Sequence, residues 1–445
     1  MLEKVHNMIR KSLHNIILEL KNNRYFIMNL LLGEADILDE NEYKKFLNEE
    51  PLEEFISKGY IIDSDYEKVL YNKKYLEFLA LKEEDELQLF FVPNYSCNFE
   101  CNYCFQKNYV NPHNNYNKDV IDSFFTFIQK QFNNRRKYIT LFGGEPLLMS
   151  KKHKEYIYYF FKKAFEINID VAIVTNGYNL REYLPIIQNS NVKIREIQIT
   201  LDGTEEVHNL RRKLKKSGES TFKKIIEGID LAIKEDYPIN LRVVVDAENI
   251  ENLPQLAKFA IEKGWTGYNK FKTQIGRNYD LHSCIYDSKK LFSRIELYEN
   301  LTKLIEKHPY ILEFHSPDYF VVRDLKEKGV LPLPVFDVCP ATKTEWAFDY
   351  TGKIYPCTAT VGKIDEHVGT FYPYTFFNKE KLEKWNDRDV LLIDECKNCN
   401  LQLICGGGCA ALAKNKKGDI LKPDCRPVKE IVELGLSLYF KDVIY

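Results

Sequence analysis

The chain has 445 residues, more than the roughly 100–200 of one ordinary domain, so two to four units are expected. Hydrophobic residues make up 44% and charged residues 29%, with 28 Phe and 29 Tyr; a sizeable core is available and global disorder is excluded. The 63 Lys and Arg against 65 Asp and Glu leave a net charge of −2, which argues against a polyanionic partner held by bulk charge. No apolar run approaches the ~20 residues of a membrane span, and charges interrupt Met1 to Ile17, so no secretory signal is visible. A soluble, cytoplasmic protein is expected, with neither nucleic acid nor membrane as a partner.

Residues 1–88 contain no cysteine and read as a small separate unit. Arg24 to Leu32, a Gly33-Glu34 turn and Ala35 to Leu38 have the pattern of a β-hairpin. Asp39 is placed to cap a helix with Tyr43, Phe46 and Leu47 on one face. Further helical stretches fall at about 52–57 and 66–81. A hairpin with three short helices predicts a winged-helix-like module with no catalytic residue.

Over 89–328 strands and helices alternate. Strands are expected at Gln88–Val92, Tyr138–Phe142, Asp170–Val174, Glu196–Leu201 and Ile239–Val245, with helices at about 119–133, 152–165, 221–234 and 253–263. Polar and Gly-rich elements follow the strands, and in a parallel β/α barrel such loops share the rim that carries the chemistry. Over 329–426 element signals are short and cysteines dense, which predicts a metal-stapled domain. A last helix occupies 427–445.

Eleven cysteines stand at 97, 101, 104, 284, 339, 357, 396, 399, 405, 409 and 425. Scattered thiols and disulfides are one reading, but a reducing cytosol disfavours disulfides, and clustered ligands converge on a metal at low loop cost. Cys97-x3-Cys101-x2-Cys104 supplies three thiolates, enough for three corners of a [4Fe–4S] cube with one iron left open. A zinc site wants four ligands, for which His113 is a candidate.

With Tyr103 before the last cysteine, this loop after the first strand resembles the radical S-adenosylmethionine (AdoMet) enzymes. The resemblance implies a partial (β/α)6 barrel. It also implies AdoMet bound to the open iron and an electron from the cluster that releases a 5′-deoxyadenosyl radical. Gly143-Gly144-Glu145-Pro146 resembles the motif that receives the methionine ammonium; a carboxylate suits a cation, and glycine lets backbone approach closely. Thr200 and Asp202 resemble the strand end that holds the ribose or methionyl part, and Asn176 ends another strand. His208-x3-Arg212 matches the family's H-x3-R pattern, which favours Arg212 over Arg211 for the AdoMet carboxylate. Two solvated surface arginines are the bland alternative.

Cys339-x12-Gly352-x4-Cys357, Cys396-x2-Cys399-x5-Cys405-x3-Cys409 and Cys425 resemble the SPASM domain of peptide- and protein-modifying radical AdoMet enzymes, against two zinc ribbons as the competing reading. The resemblance implies two auxiliary [4Fe–4S] clusters, three in all. Cys339, Cys357 and Cys409 would hold cluster I; Cys396, Cys399, Cys405 and Cys425 would hold cluster II. Some members carry another cysteine before the first, but residues 330–338 contain none. The fourth position of cluster I is therefore open to Asp337, Cys284, another side chain or a thiolate from outside.

Four functions compete: a peptide maturase installing a thioether or other radical crosslink, an anaerobic sulfatase-maturating enzyme forming formylglycine, a small-molecule radical enzyme, and a passive cluster carrier. Sulfatase maturases usually have an Asp where this chain has Thr358, and they usually begin close to the radical cluster, whereas 96 residues precede Cys97. The winged-helix-like module resembles a leader-peptide recognition element, which adds the leader as a strand. The expected partners are a ribosomally made, Cys-containing precursor with a leader and an electron donor such as flavodoxin or ferredoxin.

Overall fold

The computed structural model describes residues 9–104, 106, 116–278, 290–363 and 365–441. His113 and Cys284, both weighed as ligands, lie outside the described residues.

Five short strands come first: β1 (Ile9–Lys11), β2 (Asn15–Glu19), β3 (Tyr25–Asn29), β4 (Glu34–Leu38) and β5 (Ile61–Asp63). β2, β3 and β4 form an antiparallel sheet, and β1 pairs with β5. The expected hairpin is β3–β4. Asp39 caps helix Glu40–Leu47 reciprocally: its carboxylate accepts from Glu42 N at 2.8 Å, and Glu42 accepts from Asp39 N at 2.8 Å. Helices Glu53–Ser57 and Ser64–Glu84 follow, the latter longer than its sequence signal.

This module does not stand apart. Ile16, Leu18, Phe26 and Met28 share one core with Phe336, Ile393, Leu403 and Val432. Tyr71, Tyr75 and Phe78 surround Phe336 at ring-centroid distances of 5.1, 5.2 and 5.5 Å. The phenols then reach across, Tyr71 to Gln402 at 2.7 Å and Tyr75 to Asp389 at 2.6 Å. Apolar periodicity announces that a helix has a partner but cannot say which one, so the sequence suggested a detached unit.

Next come β6 (Leu87–Val92), β7 (Phe99–Cys101), β8 (Lys137–Leu141), β9 (Val171–Thr175), β10 (Ile194–Thr200), β11 (Arg212–Leu214), β12 (Ile239–Val245) and β13 (Phe271–Arg277). β6, β8, β9, β10, β12 and β13 are parallel neighbours in chain order, the six strands of a partial barrel. Leu87, Leu89 and Phe91 alternate toward the covering helices, where Phe91 packs on Phe124 and Phe160 at 4.8 and 5.0 Å. The opposite alternation lines the barrel with polar pairs: Gln88 donates to Thr140 at 3.0 Å and Gln198 to Gln274 at 2.9 Å.

Several elements had no counterpart in the sequence reading, among them helix Arg294–Lys307, helix Leu180–Ser190 and β13. Helix Leu180–Ser190 contains Pro185, a residue that weakens a helical signal. β13 is an edge strand with little buried surface, so it shows no strong apolar alternation.

β14 (Glu345–Asp349) joins β6 in parallel register, with Glu345 opposite Gln88 and Asp349 opposite Val92. β15 (Lys353–Tyr355), β16 (Gly369–Thr370) and β17 (Phe376–Phe377) extend it antiparallel into a ten-stranded sheet. The cysteine-rich region is thus continuous with the barrel, and helix Val428–Tyr439 closes the chain onto it. Among the described residues, no helix is long and apolar enough to cross a membrane.

Candidate active site

β6 ends at Val92, and its loop carries Cys97, Cys101 and Cys104. A two-stranded ribbon fixes that loop: β7 pairs with β11, which sets Arg212 directly opposite Cys101. Lys215 N donates to Asn98 O at 2.8 Å and extends the tie. Burial pushes the Cys97 thiol up to about 12, helped by the Glu145 carboxylate and the other two thiols. Burial pushes Cys101 up to about 11, against the pull of Arg212. Such thiols ionise when a metal takes the place of their protons. Phe99 N and Asn176 Nδ2 point at Cys97 Sγ, at 3.4 and 3.9 Å. Donors of this kind set the reduction potential of a cluster.

The Gly143-Gly144 turn lies against this loop. Gly143 has φ +140°, and a side chain there would meet Asn94 O at 2.7 Å; one at Gly144 would meet Ser96 O at 2.1 Å. The close approach permits Gly144 N to donate to Asn94 O at 3.2 Å and Glu145 N to Ser96 O at 2.8 Å. Pro146 O is held by His153 Nε2 at 2.8 Å. The buried Glu145 carboxylate accepts from Leu147 N at 2.8 Å, Thr175 Oγ1 at 2.7 Å and Asn176 N at 2.7 Å. A carboxylate has about four acceptor positions, so one is left for a cation. Asn94 Oδ1, at the same turn, is buried with no partner in the fold. This donor-poor pocket fits a methionine ammonium.

Thr200 closes β10, buried at the rim. Two residues on, the Asp202 carboxylate accepts from the Tyr103 hydroxyl, from Val244 N at 3.2 Å and from Arg211 Nε at 3.5 Å. His208 Nδ1 accepts from Asp202 N at 3.3 Å, and its Nε2 meets Thr221 Oγ1 at 3.1 Å. Burial, then Arg212 and Arg211, drive that imidazole far below its usual range, so it is a neutral brace.

Both arginines are buried, which removes the surface alternative. Arg211 is consumed by a bidentate pair with Asp246 at 2.9 and 2.8 Å, with Glu248 at 3.4 Å beside it. Arg212 Nη1 donates to the Tyr103 hydroxyl at 2.5 Å, while its Nε is buried without a partner. Arg212 therefore has capacity for a ligand carboxylate. Sequence reasoning missed Asn94, Asp246 and Asn278, whose Nδ2 donates to Asp246 at 3.0 Å. Each lies just past a strand end, and that position was the available signal.

In the C-terminal region the thiols assemble in two groups. Burial raises Cys357 strongly, followed by the charges of Glu345, Cys339 and Cys409. Cys396 is pushed up to about 12 by burial and then by Cys405, Cys399 and Cys425. Between them Gly406, Gly407 and Gly408 take φ of +55, +73 and +70°, and a side chain at Gly408 would meet Asp424 O at 2.0 Å. The fully buried Arg388 satisfies Gly407 O at 2.9 Å, Gly408 O at 3.2 Å and Ile420 O at 2.5 Å. Among the described residues no three Cys, His, Asp or Glu side chains close around a single ion. A cube spreads its thiolates over separate irons.

Residues 91–260 match the Radical SAM superfamily model. The chain is 24% identical over 352 residues to a cysteine-type anaerobic sulfatase-maturating enzyme of Clostridium novyi, covering 71% of this chain and 85% of that protein. It is 23% identical over 461 residues to the radical SAM cyclopropyl synthase TigE of Paramaledivibacter caminithermalis, covering 93% and 88%. Streptococcus suis SuiB bound to its precursor peptide SuiA superimposes with a TM-score of 0.52 at 16% identity, over 94% of this chain and 99% of that one. This chain is an enzyme that carries a radical SAM domain over residues 91–260. Its radical SAM domain implies a [4Fe–4S] cluster and AdoMet.

Proposed function

We propose that the chain is a radical SAM peptide maturase that installs a thioether, or another radical crosslink, in a ribosomally made, Cys-containing precursor bound through its leader. The observation that carries this reading is the N-terminal module, whose core is shared with the cysteine-rich region. Among the described residues β4 pairs only with β3, so its outer edge is free to receive a leader as an added strand. The likeness to TigE extends over 93% of the chain and supports the same reading.

When bound, the cluster and AdoMet supply a 5′-deoxyadenosyl radical. In this reading Cys97, Cys101 and Cys104 hold the cluster, while Asn94, Gly143, Gly144 and Glu145 receive the ammonium. Arg212 pairs with the carboxylate, and Thr200, Asp202 and Asn176 border the remainder of the ligand. The two C-terminal thiol sets hold auxiliary clusters, three cubes in total, reduced by flavodoxin or ferredoxin in the cytoplasm. The polar barrel lining around Gln88, Gln198 and Gln274 receives the peptide.

Sulfatase maturation is the second reading, favoured by the likeness to the Clostridium novyi enzyme. It is weakened at Thr358, a hydroxyl where a carboxylate base is expected.

Incubating reduced enzyme and AdoMet with a Cys-containing precursor, followed by mass spectrometry, separates the two. A crosslink removes a pair of hydrogens and retains sulfur, whereas formylglycine formation loses the sulfur. In parallel, the leader should slow amide exchange at β4 and leave the central strand β3 unchanged. Sulfur loss, or leader binding with no protection of β4, would overturn the proposal.

A further inference from the structure

The oxygen ligand anticipated for auxiliary cluster I, Asp337, is already committed to other partners. Its carboxylate accepts from Cys339 N at 3.0 Å and pairs with Lys343 at 2.5 Å and Arg388 at 3.5 Å.

Glu345 is placed differently. It starts β14 directly opposite Gln88, on the alternation that faces the barrel interior, while Trp346 and Phe348 pack outward on Phe132 and Phe124. One carboxylate oxygen accepts from Thr358 N at 2.8 Å, the residue after Cys357. The backbone of Glu345 is tied to the segment after Cys339, with N donating to Pro340 O at 2.8 Å and O accepting from Thr342 N at 2.9 Å. Thr342 N also donates to Pro356 O at 3.1 Å, which clasps the two cysteine-bearing segments together. Glu345 therefore stands where Cys339 and Cys357 converge. Among the described residues it makes no ion pair with any Lys, Arg or His, and no side-chain bond other than those from Thr358. Carboxylates inside proteins are paired with cations or coordinate metals.

We propose that Glu345 is the fourth protein ligand of auxiliary cluster I, binding the iron left over by Cys339, Cys357 and Cys409 through a carboxylate oxygen. The proposal rests on the reading that those three cysteines hold a cube. Thr358 then has a role that its hydroxyl could not fill as a base: it orients the ligand carboxylate. Fully ligated by the chain, cluster I requires no thiolate from the peptide.

The test is Mössbauer spectroscopy and iron analysis of full-length protein reconstituted anaerobically, as wild type, Glu345→Gln, Glu345→Cys and Cys357→Ala. In the wild type one iron of cluster I should carry oxygen-type parameters, in addition to the open iron of the radical cluster, which the three variants leave unchanged. Glu345→Cys should convert that iron to the all-thiolate type with iron content retained. Glu345→Gln should make it labile, with about one iron lost per chain on mild oxidation. Spectra of Glu345→Gln and Glu345→Cys that superimpose on wild type, while Cys357→Ala loses a cube, overturn the ligand assignment alone. Retention of all iron in Cys357→Ala overturns the cluster I reading and the ligand assignment with it.

Discussion

At the barrel rim, Arg211 is buried with Asp246, Asp202 and Glu248 around it, and Tyr103 links Asp202 to Arg212. In the C-terminal region, Glu345 pairs with no cation among the described residues, and it and the neighbouring thiols oppose ionisation of Cys357. The rim balances its charges with protein groups drawn from four strand ends. In the proposed reading, iron completes the balance of the cysteine region, which is built on short elements joined by three glycines with positive φ. The rim is thus preorganised by the polypeptide, whereas auxiliary clusters of the proposed kind would couple the order of the C-terminal region to metal binding.

The comparison is tested most severely by removing cysteines. Cys97→Ala with Cys101→Ala and Cys104→Ala should remove about four irons and abolish 5′-deoxyadenosine formation in dithionite, while the protease resistance of the chain is retained. Cys396→Ala with Cys399→Ala and Cys405→Ala should also remove about four irons, but new cleavage should open within 390–425. Equal protease sensitivity of the two variants would end the distinction.

A smaller effect comes from breaking the rim's own balance. Asp246→Ala strands the Arg211 guanidinium and should cost about 3–5 kcal/mol, as for other broken buried pairs, read as a shift of the urea midpoint. The loss should persist when iron is chelated, because the pair belongs to the protein.

Smaller again is Gly144→Ala, which drives a methyl group into Ser96 O and should cost about 1–3 kcal/mol by overpacking. AdoMet affinity, measured by equilibrium dialysis, should fall with it. Unchanged affinity would show that the contact between the turn and the cluster loop does not shape the ligand pocket.

Much of this organisation was written in local sequence. Strand ends followed by Cys97, Gly143, Asn176 and Asp202 were legible because β/α alternation and turn chemistry are short-range properties. Asp39 announced its helix as a cap candidate, and the structure adds the reciprocal contact from Glu42. The proposed auxiliary ligand sets come from cysteine spacing and family resemblance, with Cys357 and Cys409 far apart in the chain. Pro185 hid a helix, and polar β13 hid the sixth strand.

By itself, then, the sequence determined the alternation of strands and helices and the rim motifs, because each depends on residues close together or on a recognisable spacing. Only the tertiary structure decided that the N-terminal module is packed on Phe336. It alone showed that Arg211 is spent on Asp246 while Arg212 is spare. It also moved attention from Asp337, taken by Lys343 and Arg388, to Glu345. The physical reason is the same in each case. A charge or an apolar face declares that it needs a partner, and only the fold brings the distant chain segment that supplies one.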